Sequence, residues 1–381
     1  MPACEIISPG ANVNLGYLLK FKDCILKVPN VSSCSCWLRG SDDMTVRDRL
    51  IQVLNFQKPQ DRLPIVEWAA WWDLTIDRWL GEGLPAEFDF RAPDGMRRSL
   101  QYFGLDEFYC LGAAPIGSLC PPPACHGGGI LKDEAEYEAL LPRLYTDEAI
   151  EGLCRSARRL KERHEAGEIM VRLWMDGFFW FPRSLFGIED HFYAFYDHEE
   201  LMLRINQDLT DFHQRTLDAL LPILTPDIAG FAEDMSYNHG PMLSRELFGR
   251  FIAPFYRQLT PRLKSDGVKV FVDSDGQVWD LLPWLIDCGI EGIYPLERQS
   301  DVDVAAIRTQ YPKFLMLGGF DKRVMQLGEA AIRAEFERLL PVMRSGGYIP
   351  SVDHQTPPLV SLDDYLLFRR LFDEYAQKAV R

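Results

Sequence analysis

The sequence predicts an α/β protein whose main part is a (β/α)8 barrel, the TIM-barrel fold, preceded by an N-terminal extension. Eight short apolar stretches alternate with longer helical ones, which favours this fold because parallel neighbouring strands need helical crossovers. A doubly wound sheet is the runner-up. No glycine-rich phosphate fingerprint follows the first predicted strand, so the sequence favours the barrel and predicts no nucleotide cofactor.

The division of the chain rests on a change of pattern near Met44. Residues 1–43 lack a clear period and hold four of the nine cysteines, and we expect them to form the extension. Helical spacing begins at Met44, with Thr45 as the expected N-cap and Asp48 in the first turn. Residues 44–381 are therefore predicted to form one barrel domain.

Apolar runs and helical periods locate the elements of the barrel. The predicted strands lie near residues 63–67, 107–111, 169–174, 227–232, 268–272, 292–296, 314–317 and 348–352. The clearest predicted helices cover residues 199–221, 244–264, 328–344 and 361–379. Ser361, with Asp364 three residues on, resembles a capping box at the start of the last helix.

The stretch GVKVFVDSD, residues 267–275, has the composition of a strand buried on both faces. It ends in Asp273 and Asp275. Two carboxylates at the end of a buried strand are costly unless a charged or protic group meets them. Since catalytic groups of a parallel barrel lie at the carboxyl ends of its strands, these residues are predicted to belong to the site.

Composition excludes several classes of partner. The formal net charge of −15 disfavours nucleic acid and anionic membranes, because phosphate groups require a basic surface. No apolar run is as long as a membrane span, and the first residues lack the features of a signal peptide. We therefore expect a soluble, cytoplasmic protein that acts on a small molecule, with its nine scattered cysteines reduced.

The residues that follow each predicted strand should converge at one mouth of the barrel. Aromatic residues follow the first and third strands, and acidic residues follow most of the others. The residues concerned are Glu67, Trp68, Trp71, Trp72, Phe178, Phe179, Trp180, Glu233, Asp234, Asp273, Asp275, Glu297, Asp321, Asp353 and His354. The predicted mouth is therefore both acidic and aromatic.

Five segments in order carry a family resemblance. They are AEDMSYNHGPMLS (232–244), VKVFVDSDG (268–276), GIEGIYPLE (289–297), LGGFDKRV (317–324) and GGYIPSVDHQTPP (346–358). Together they resemble the uroporphyrinogen decarboxylase superfamily, which also contains corrinoid-dependent methyltransferases. The resemblance implies a TIM barrel with its site at the C-terminal mouth, and a homodimer. It does not by itself select the reaction.

The chain departs from both known branches of that superfamily. Porphyrinogen decarboxylases carry an arginine pair after the first strand, where this chain reads VEWAAWWD, and an aspartate after the second strand that has no match here. The methyltransferases bind zinc through His-x-Cys after the fifth strand, where this chain has Asp273-Ser274-Asp275. His354 matches the C-terminal histidine of the decarboxylases. A polyanionic porphyrin would be repelled by an acidic mouth.

These departures lead to a hypothesis of methyl transfer assisted by zinc or another divalent metal. The predicted ligands are Glu233, Asp273, Asp275 and His354, an oxygen and imidazole set that suits a metal acting on an ether oxygen. The methyl group of an aromatic methyl ether would pass to a separate corrinoid protein, so that cobalamin is present only on that partner. The predicted substrate contacts are Trp68, Trp71, Trp72, Phe178, Trp180, His239 and Asp321.

Several alternatives stay open. A metal-free decarboxylase could use His354 and Asp273 as a proton-transfer pair. The aromatic residues could be core packing, and Asp275 could be turn chemistry before Gly276. Glu233 could cap the following helix, and His239 could be an ordinary loop residue. A non-catalytic scaffold is the remaining class.

Overall fold

Seven parallel strands form one curved sheet around which the helices pack. In sheet order they are β1 (Phe108–Gly112), β2 (Met170–Asp176), β3 (Ile228–Ala232), β6 (Lys269–Asp273), β7 (Gly292–Tyr294), β8 (Leu315–Phe320) and β9 (Tyr348–Val352). A small antiparallel hairpin, β4 (Ser236–Tyr237) and β5 (Gly240–Pro241), follows β3. The computed structural model describes residues 44–69, 71–92 and 94–381, so the predicted extension, residues 1–43, lies outside the described residues.

Helices separate successive strands, as a TIM-barrel-like α/β fold requires. They are α1 (Val46–Leu54), α2 (Asp73–Gly81), α3 (Gly95–Tyr102), α4 (Glu134–Leu140), α5 (Asp147–Glu165), α6 (Trp180–Phe186), α7 (Ile188–Asp197), α8 (Glu199–Leu220), α9 (Arg245–Phe251), α10 (Ala253–Ser265), α11 (Leu281–Asp287), α12 (Val304–Gln310), α13 (Glu329–Met343) and α14 (Leu362–Val380). Short 3-10 turns cover Ala86–Phe88, Leu141–Arg143, Arg298–Ser300 and Lys322–Leu327.

The predicted first strand, residues 63–67, is not a strand. It is an extended segment that contacts both edge strands of the sheet. Ile65 accepts the N–H of Asp106 at 2.8 Å, next to β1, and Val66 accepts the Ser351 hydroxyl of β9 at 2.8 Å. Side chains supply several of the hydrogen bonds that backbone groups of a paired strand would make. The segment therefore occupies the position of an eighth barrel strand without regular strand pairing.

The predicted helix 244–264 is two helices. The first, α9, ends before Ile252, whose backbone leaves the helical region at φ −123°. Pro254 stands in the first turn of α10, where its missing N–H does no harm. The other predicted long helices, α8, α13 and α14, are confirmed, as are the N-caps Thr45 and Ser361.

The strands are buried on both faces, as the sequence predicts for a covered parallel sheet. Val270, Phe271 and Val272 of β6 have no exposed surface, and β6 lies between β3 and β7. A fully buried side chain of this size contributes roughly 1.5–3 kcal/mol to folding. The sheet is thus a stable platform that can hold polar groups at its carboxyl end. In the part of the chain described, no helix has the length and apolar character to cross a membrane.

Candidate active site

Strand β6 brings Asp273 to the carboxyl end of the sheet. Asp273 lies in register with Ala232 of β3 and Tyr294 of β7. Its backbone carbonyl accepts the N–H groups of Glu233 at 2.9 Å and Asp234 at 3.3 Å. This pairing ties the end of β3 to the end of β6, so the residues that follow the two strands must lie side by side.

Three aspartates form what we call the carboxylate cluster: Asp234, Asp273 and Asp275. One oxygen of each lies within 4.8 Å of the others. Asp234 has a positive φ of 42°, a backbone conformation that costs of order 1–3 kcal/mol outside glycine. Burial and the neighbouring acids raise the pKa of Asp273 and Asp275 well above the usual range, and burial raises that of Asp234. The cluster therefore favours bound protons or a bound cation.

One oxygen of the cluster is left open. Asp275 Oδ1 is shielded from solvent and has no hydrogen-bond partner among residues 44–69, 71–92 and 94–381. The other oxygen, Asp275 Oδ2, lies 3.6 Å from His354 Nε2. A buried carboxylate oxygen without a donor is costly, so this atom is suited to a ligand that arrives from outside the chain.

His354 is held as a neutral imidazole with its proton on Nε2. Its Nδ1 accepts the N–H of Gln355 at 2.8 Å, which leaves Nε2 to carry the hydrogen. Burial, with the nearby Lys322 ammonium, lowers the pKa of His354 to about 4. The Nε2–H group therefore faces Asp275 at neutral pH, 3.6 Å from Oδ2, which is beyond hydrogen-bond distance.

The loop that carries His354 is fixed by helix α2. Thr75 donates its hydroxyl to the carbonyl of Thr356 at 2.9 Å, and Trp79 donates its indole N–H to Val360 at 3.0 Å. His354 also contacts the Trp68 ring edge-on, with centroids 5.8 Å apart. Elements from the two ends of the barrel domain thus position one imidazole.

Lys322 supplies positive charge beside the carboxylate cluster. Its ammonium lies 3.3 Å from Glu297 Oε1 and 3.7 Å from Asp353 Oδ1. Asp353 is fully buried, and its oxygens accept the backbone N–H groups of Arg298 at 3.0 Å and Lys322 at 3.3 Å. Burial raises the pKa of Asp353 to about 6. This network supports the floor of the site.

Glu233, predicted as a metal ligand, has a different position. Its Oε1 accepts the N–H of Phe178 at 2.9 Å, and its Oε2 accepts those of Phe179 at 2.8 Å and Trp180 at 3.1 Å. The Tyr256 hydroxyl also donates to Oε1. Since both oxygens are engaged, Glu233 clamps the loop after β2, and Asp234 takes the place in the cluster.

The predicted aromatic wall is only partly present at the site. Trp68 lies there, donating its indole N–H to Val352 at 2.9 Å. Trp71 is buried against Trp79, Phe90, Phe103 and Tyr365, and Phe178 is buried against Phe231, Phe255 and Tyr256. Both are core residues, because these helix-facing aromatics bury most of their area away from the mouth.

The other predicted contacts also differ in position. Trp72 is exposed, and Trp180 is half-buried with the Arg183 guanidinium 5.1 Å from its ring. His239 is exposed in the turn of the β4–β5 hairpin, where it contacts the Tyr237 ring. Asp321 binds Arg323 through both carboxylate oxygens, at 2.9 and 2.8 Å. Neither His239 nor Asp321 belongs to the carboxylate cluster.

The sequence placed Asp234 at the mouth but not among the metal ligands, and it did not single out Arg172 or Tyr294. Asp234 joins the cluster, and Arg172 and Tyr294 lie side by side in the barrel, with the guanidinium 5.1 Å from the Tyr294 ring. Asp234 offers the same signal as Glu233, an acid directly after a strand. Arg172 offers a stronger one, because a lone cation inside an apolar strand is unusual.

The residues of the carboxylate cluster are suited to bind a hard divalent cation. Three oxygen donors from Asp234, Asp273 and Asp275 are the ligand type that magnesium, manganese or calcium prefers. His354 does not fit as a ligand, because a metal-bound histidine presents a bare nitrogen and donates its other N–H. Here Nδ1 is the acceptor and Nε2 carries the hydrogen.

Comparison with known proteins adds a family and a fold. A family model described as uroporphyrinogen decarboxylase (URO-D) matches residues 134–375. A methyltransferase from Methanosarcina mazei is similar in structure, with a TM-score of 0.60 and 16% identity over 87% of this chain and 99% of that chain. At this identity the likeness concerns the fold alone.

A second structure, a β-mannanase from the blue mussel Mytilus edulis, has a TM-score of 0.38 and 14% identity over 81% of this chain and 92% of that chain. That similarity is too low to support an argument. No curated protein matches the sequence.

Proposed function

The chain belongs to the uroporphyrinogen decarboxylase (URO-D) family, and from this premise we propose that it transfers a methyl group from a small aromatic methyl ether to a separate corrinoid protein. The superfamily includes both decarboxylases and methyltransferases, so the family alone leaves the reaction undecided. The choice between them rests on the chemistry of the site.

The carboxylate cluster is the observation that supports methyl transfer. Asp234, Asp273 and Asp275 offer oxygens within 4.8 Å of one another, and Asp275 Oδ1 has no donor among the described residues. A divalent cation bound there would supply Lewis acidity to the ether oxygen. Acidic residues of this kind repel a polycarboxylate, which argues against a porphyrinogen substrate.

The remaining residues have roles in binding and proton placement. Trp68 contacts His354 on one side and Tyr294 on the other, with ring centroids 5.8 and 5.3 Å apart, and offers a flat apolar surface to a ring. The His354 Nε2–H group is a donor for the oxygen that loses its methyl group. Lys322 limits the negative charge that the cluster and Glu297 would otherwise build up.

The transfer has a simple electron balance. The methyl carbon–oxygen bond breaks, and the oxygen keeps the bonding pair as a phenolate. The reduced cobalt of the corrinoid partner supplies the pair for the new bond to carbon. Trp72 and Leu74, exposed at the start of α2, offer apolar surface for docking that partner.

Cellular location and assembly belong to the same proposal. We expect a cytoplasmic protein that forms a homodimer. Cys110, Cys125, Cys154 and Cys288 are free thiols, as a reducing compartment allows.

A second candidate function is decarboxylation without a metal. It is favoured by the protonated Nε2 of His354 and by burial, which raises the pKa of Asp275. The predicted proton-transfer pair was His354 with Asp273. In the structure the carboxylate near the imidazole is that of Asp275, 3.6 Å away, so Asp275 would replace Asp273 in that role.

One experiment separates the two functions. The purified chain is incubated with a methoxyarene and reduced cobalamin, and methylcobalamin is followed by absorbance while carbon dioxide is measured in the headspace. Methyl transfer predicts methylcobalamin formation that is lost with EDTA and restored by a divalent cation, and about one bound ion per chain. Carbon dioxide release by the EDTA-treated protein would instead support the decarboxylase.

Variants sharpen the test. Asp273→Asn should lose the bound ion and reduce methyl transfer about 100-fold or more, since it removes one charged ligand. Asp363→Asn, an exposed residue in the first turn of α14, is the matched control and should behave like the unaltered protein. Normal turnover by Asp273→Asn would contradict the site.

A further inference from the structure

Arg172 is a cation inside the barrel that the proposed reaction does not use. It lies in the middle of β2, in register with Cys110 of β1 and Ile228 of β3, and only 2% of its surface is exposed. Although burial lowers the pKa of Arg172, the nearby Tyr294, Cys110 and Asp273 side chains raise it above the usual value, so the guanidinium stays charged.

The guanidinium lacks the partners that a buried arginine normally has. Its Nε and Nη1 make no well-aligned hydrogen bond in the described ranges, Nη2 reaches the Trp68 carbonyl only at 3.5 Å, and the other polar groups beside it are the Cys110 thiol and the Tyr294 hydroxyl. Arg172 forms no direct ion pair within these ranges, and the carboxylate that acts on it is that of Asp273, through space. An unpaired buried charge is strongly unfavourable, so such a residue is retained for a ligand or for some other strong compensation.

Aromatic rings provide part of that compensation and shape the space around the charge. The Arg172 guanidinium carbon is 5.6 Å from the Phe108 ring, 5.6 Å from Trp174 and 5.1 Å from Tyr294. Cation–π contacts of this kind offset some desolvation but leave the N–H donors unused. The Tyr294 hydroxyl lies beside the guanidinium and makes no well-aligned hydrogen bond in the part of the chain described. Unused donors and flat apolar rings therefore lie together.

The space next to Arg172 is accessible. Phe108, Cys110 and Trp174, which flank the guanidinium on strands β1 and β2, are only half-buried. Strand β1 is an edge of the sheet, so side chains on this side keep some exposed surface. A small molecule that enters there would meet the edge of the guanidinium.

Ring contacts connect Arg172 to the carboxylate cluster. The Tyr294 ring next to Arg172 is 5.3 Å from Trp68, and Trp68 is 5.8 Å from His354. His354 in turn lies 3.6 Å from Asp275. Asp273 of the cluster also raises the pKa of Arg172, so the two lie near each other, and a planar ligand against these rings would have the cation beside one substituent and the cluster with its imidazole beside another.

We propose that Arg172 binds the carboxylate of a planar aromatic acid whose ring lies against Tyr294, Trp174 and Trp68. The binding site stands on geometry alone; the placement of a methoxy group toward the carboxylate cluster rests on the proposed function. One cation facing several acids selects a monocarboxylate, because a second negative charge on the ligand would meet the cluster.

The test compares two ligands of equal shape that differ in charge. Binding of 4-methoxybenzoate and of 4-methoxybenzamide to the full chain is measured by calorimetry, without cobalamin and in EDTA. The acid should bind about 10-fold to 100-fold more tightly than the amide, because a hydrogen bond to a charged group is stronger than one between neutral groups. Equal binding, or no binding of the acid, would overturn the proposal.

Variants locate the preference. Arg172→Met should remove the preference for the acid, and Arg172→Lys should keep part of it, since lysine retains the charge without the planar fork. Arg369→Lys is the control, because Arg369 is also buried but donates to the carbonyls of Phe103 at 2.8 Å and Gly104 at 3.0 Å. A folded Arg172→Met protein that still prefers the acid would also overturn the proposal.

The two proposals can fail separately. If the acid binds tightly and Arg172→Met removes the preference while no methylcobalamin forms, the binding site stands and methyl transfer falls. If methoxyarenes are demethylated with no difference between acid and amide, methyl transfer stands and the role of Arg172 is refuted.

Discussion

For single residues, two acidic side chains that follow neighbouring strands have opposite roles. Glu233 is fully buried and satisfied by three backbone N–H groups and the Tyr256 hydroxyl. Asp275 is half-buried and has an oxygen with no donor in the described ranges. Their hydrogen bonds therefore show that one acid has a structural role and that the other is available for chemistry. Residue type alone does not separate the two.

Replacing Glu233 should destabilise the protein. Glu233→Gln puts an amide NH₂ opposite backbone N–H donors, so at least one buried donor loses its acceptor, at a cost of about 1–3 kcal/mol. Urea unfolding measures the change. Glu246→Gln, exposed on α9, is the control and should stay within about 0.5 kcal/mol. A loss below that limit for Glu233→Gln would contradict the clamp.

The carboxylate cluster should make stability depend on pH in a definite direction. Burial and the neighbouring acids raise the folded-state pKa of Asp275, so the unfolded chain releases the proton at lower pH than the folded chain. Stability in EDTA therefore falls as the pH rises above about 4. Asp275→Asn should relieve this loss and raise stability by about 0.5–2 kcal/mol at pH 8, with less gain at pH 5.

Asp321→Asn should change stability with pH in the opposite direction. Although burial raises the pKa of Asp321, the Arg323 hydrogen bonds outweigh it and lower the pKa, so its contribution is present at neutral pH and is lost on acidification. Removing the charge should destabilise the protein at pH 8. Denaturant unfolding of both variants at pH 5 and pH 8 checks the pair, and equal shifts at the two pH values would refute the cluster electrostatics.

At the scale of elements, the site depends on how neighbouring strands approach each other. Gly230 of β3 faces Tyr294 of β7 so closely that an added Cβ would overlap the tyrosine hydroxyl. The glycine leaves room for the Tyr294 ring beside Arg172. Similarly, α2 holds the loop of His354 through Thr75 and Trp79. Packing between elements, rather than any single motif, shapes the interior of the mouth.

A glycine pair tests this packing. Gly230→Ala should displace the Tyr294 ring, destabilise the protein by about 1–3 kcal/mol and weaken binding of 4-methoxybenzoate. Gly249→Ala is the matched control, because its added Cβ meets nothing within 4 Å and it lies inside α9. It should stabilise the protein by about 0.5–1 kcal/mol. Thermal unfolding and calorimetry measure both, and equal effects would contradict the close approach.

At the scale of the whole molecule, the barrel gathers residues that are far apart in sequence. Trp68, Arg172, Asp273 and His354 come from four elements, and the parallel strands direct their following residues to one end. The acidic sequence, with a net charge of −15, is consistent with a substrate that carries few negative charges. Arg172, Arg183 and Lys322 are cations that the fold places near these acids.

The division at Met44 gives a prediction for the whole chain. A protein comprising residues 44–381 should unfold within a few degrees of the full chain and keep its activity, because α1 begins at its own capping box of Thr45 and Asp48. Calorimetry and the methylcobalamin assay measure this. Aggregation, or a much lower midpoint, would show that residues 1–43 contribute to the domain.

The sequence predicted most of the fold because the barrel has a strong periodic signal. Seven of the eight predicted strands are present, and β9 has its predicted bounds. Residues 63–67 were predicted to be a strand because they are apolar. Some of their backbone groups instead form hydrogen bonds with side chains. The hairpin β4–β5 was missed because each strand has two residues, too few for a period to show.

That acids and one histidine follow the strands of a parallel barrel could be predicted from the sequence, because the apolar period of a strand and the residues after it are local features of the chain. Folding alone makes Glu233 a clamp, brings Asp234 into the carboxylate cluster and leaves Arg172 without a direct ion pair in the described ranges. The physical reason is that a side chain's role depends on which donors and charges surround it, and those groups come from segments that only folding brings together.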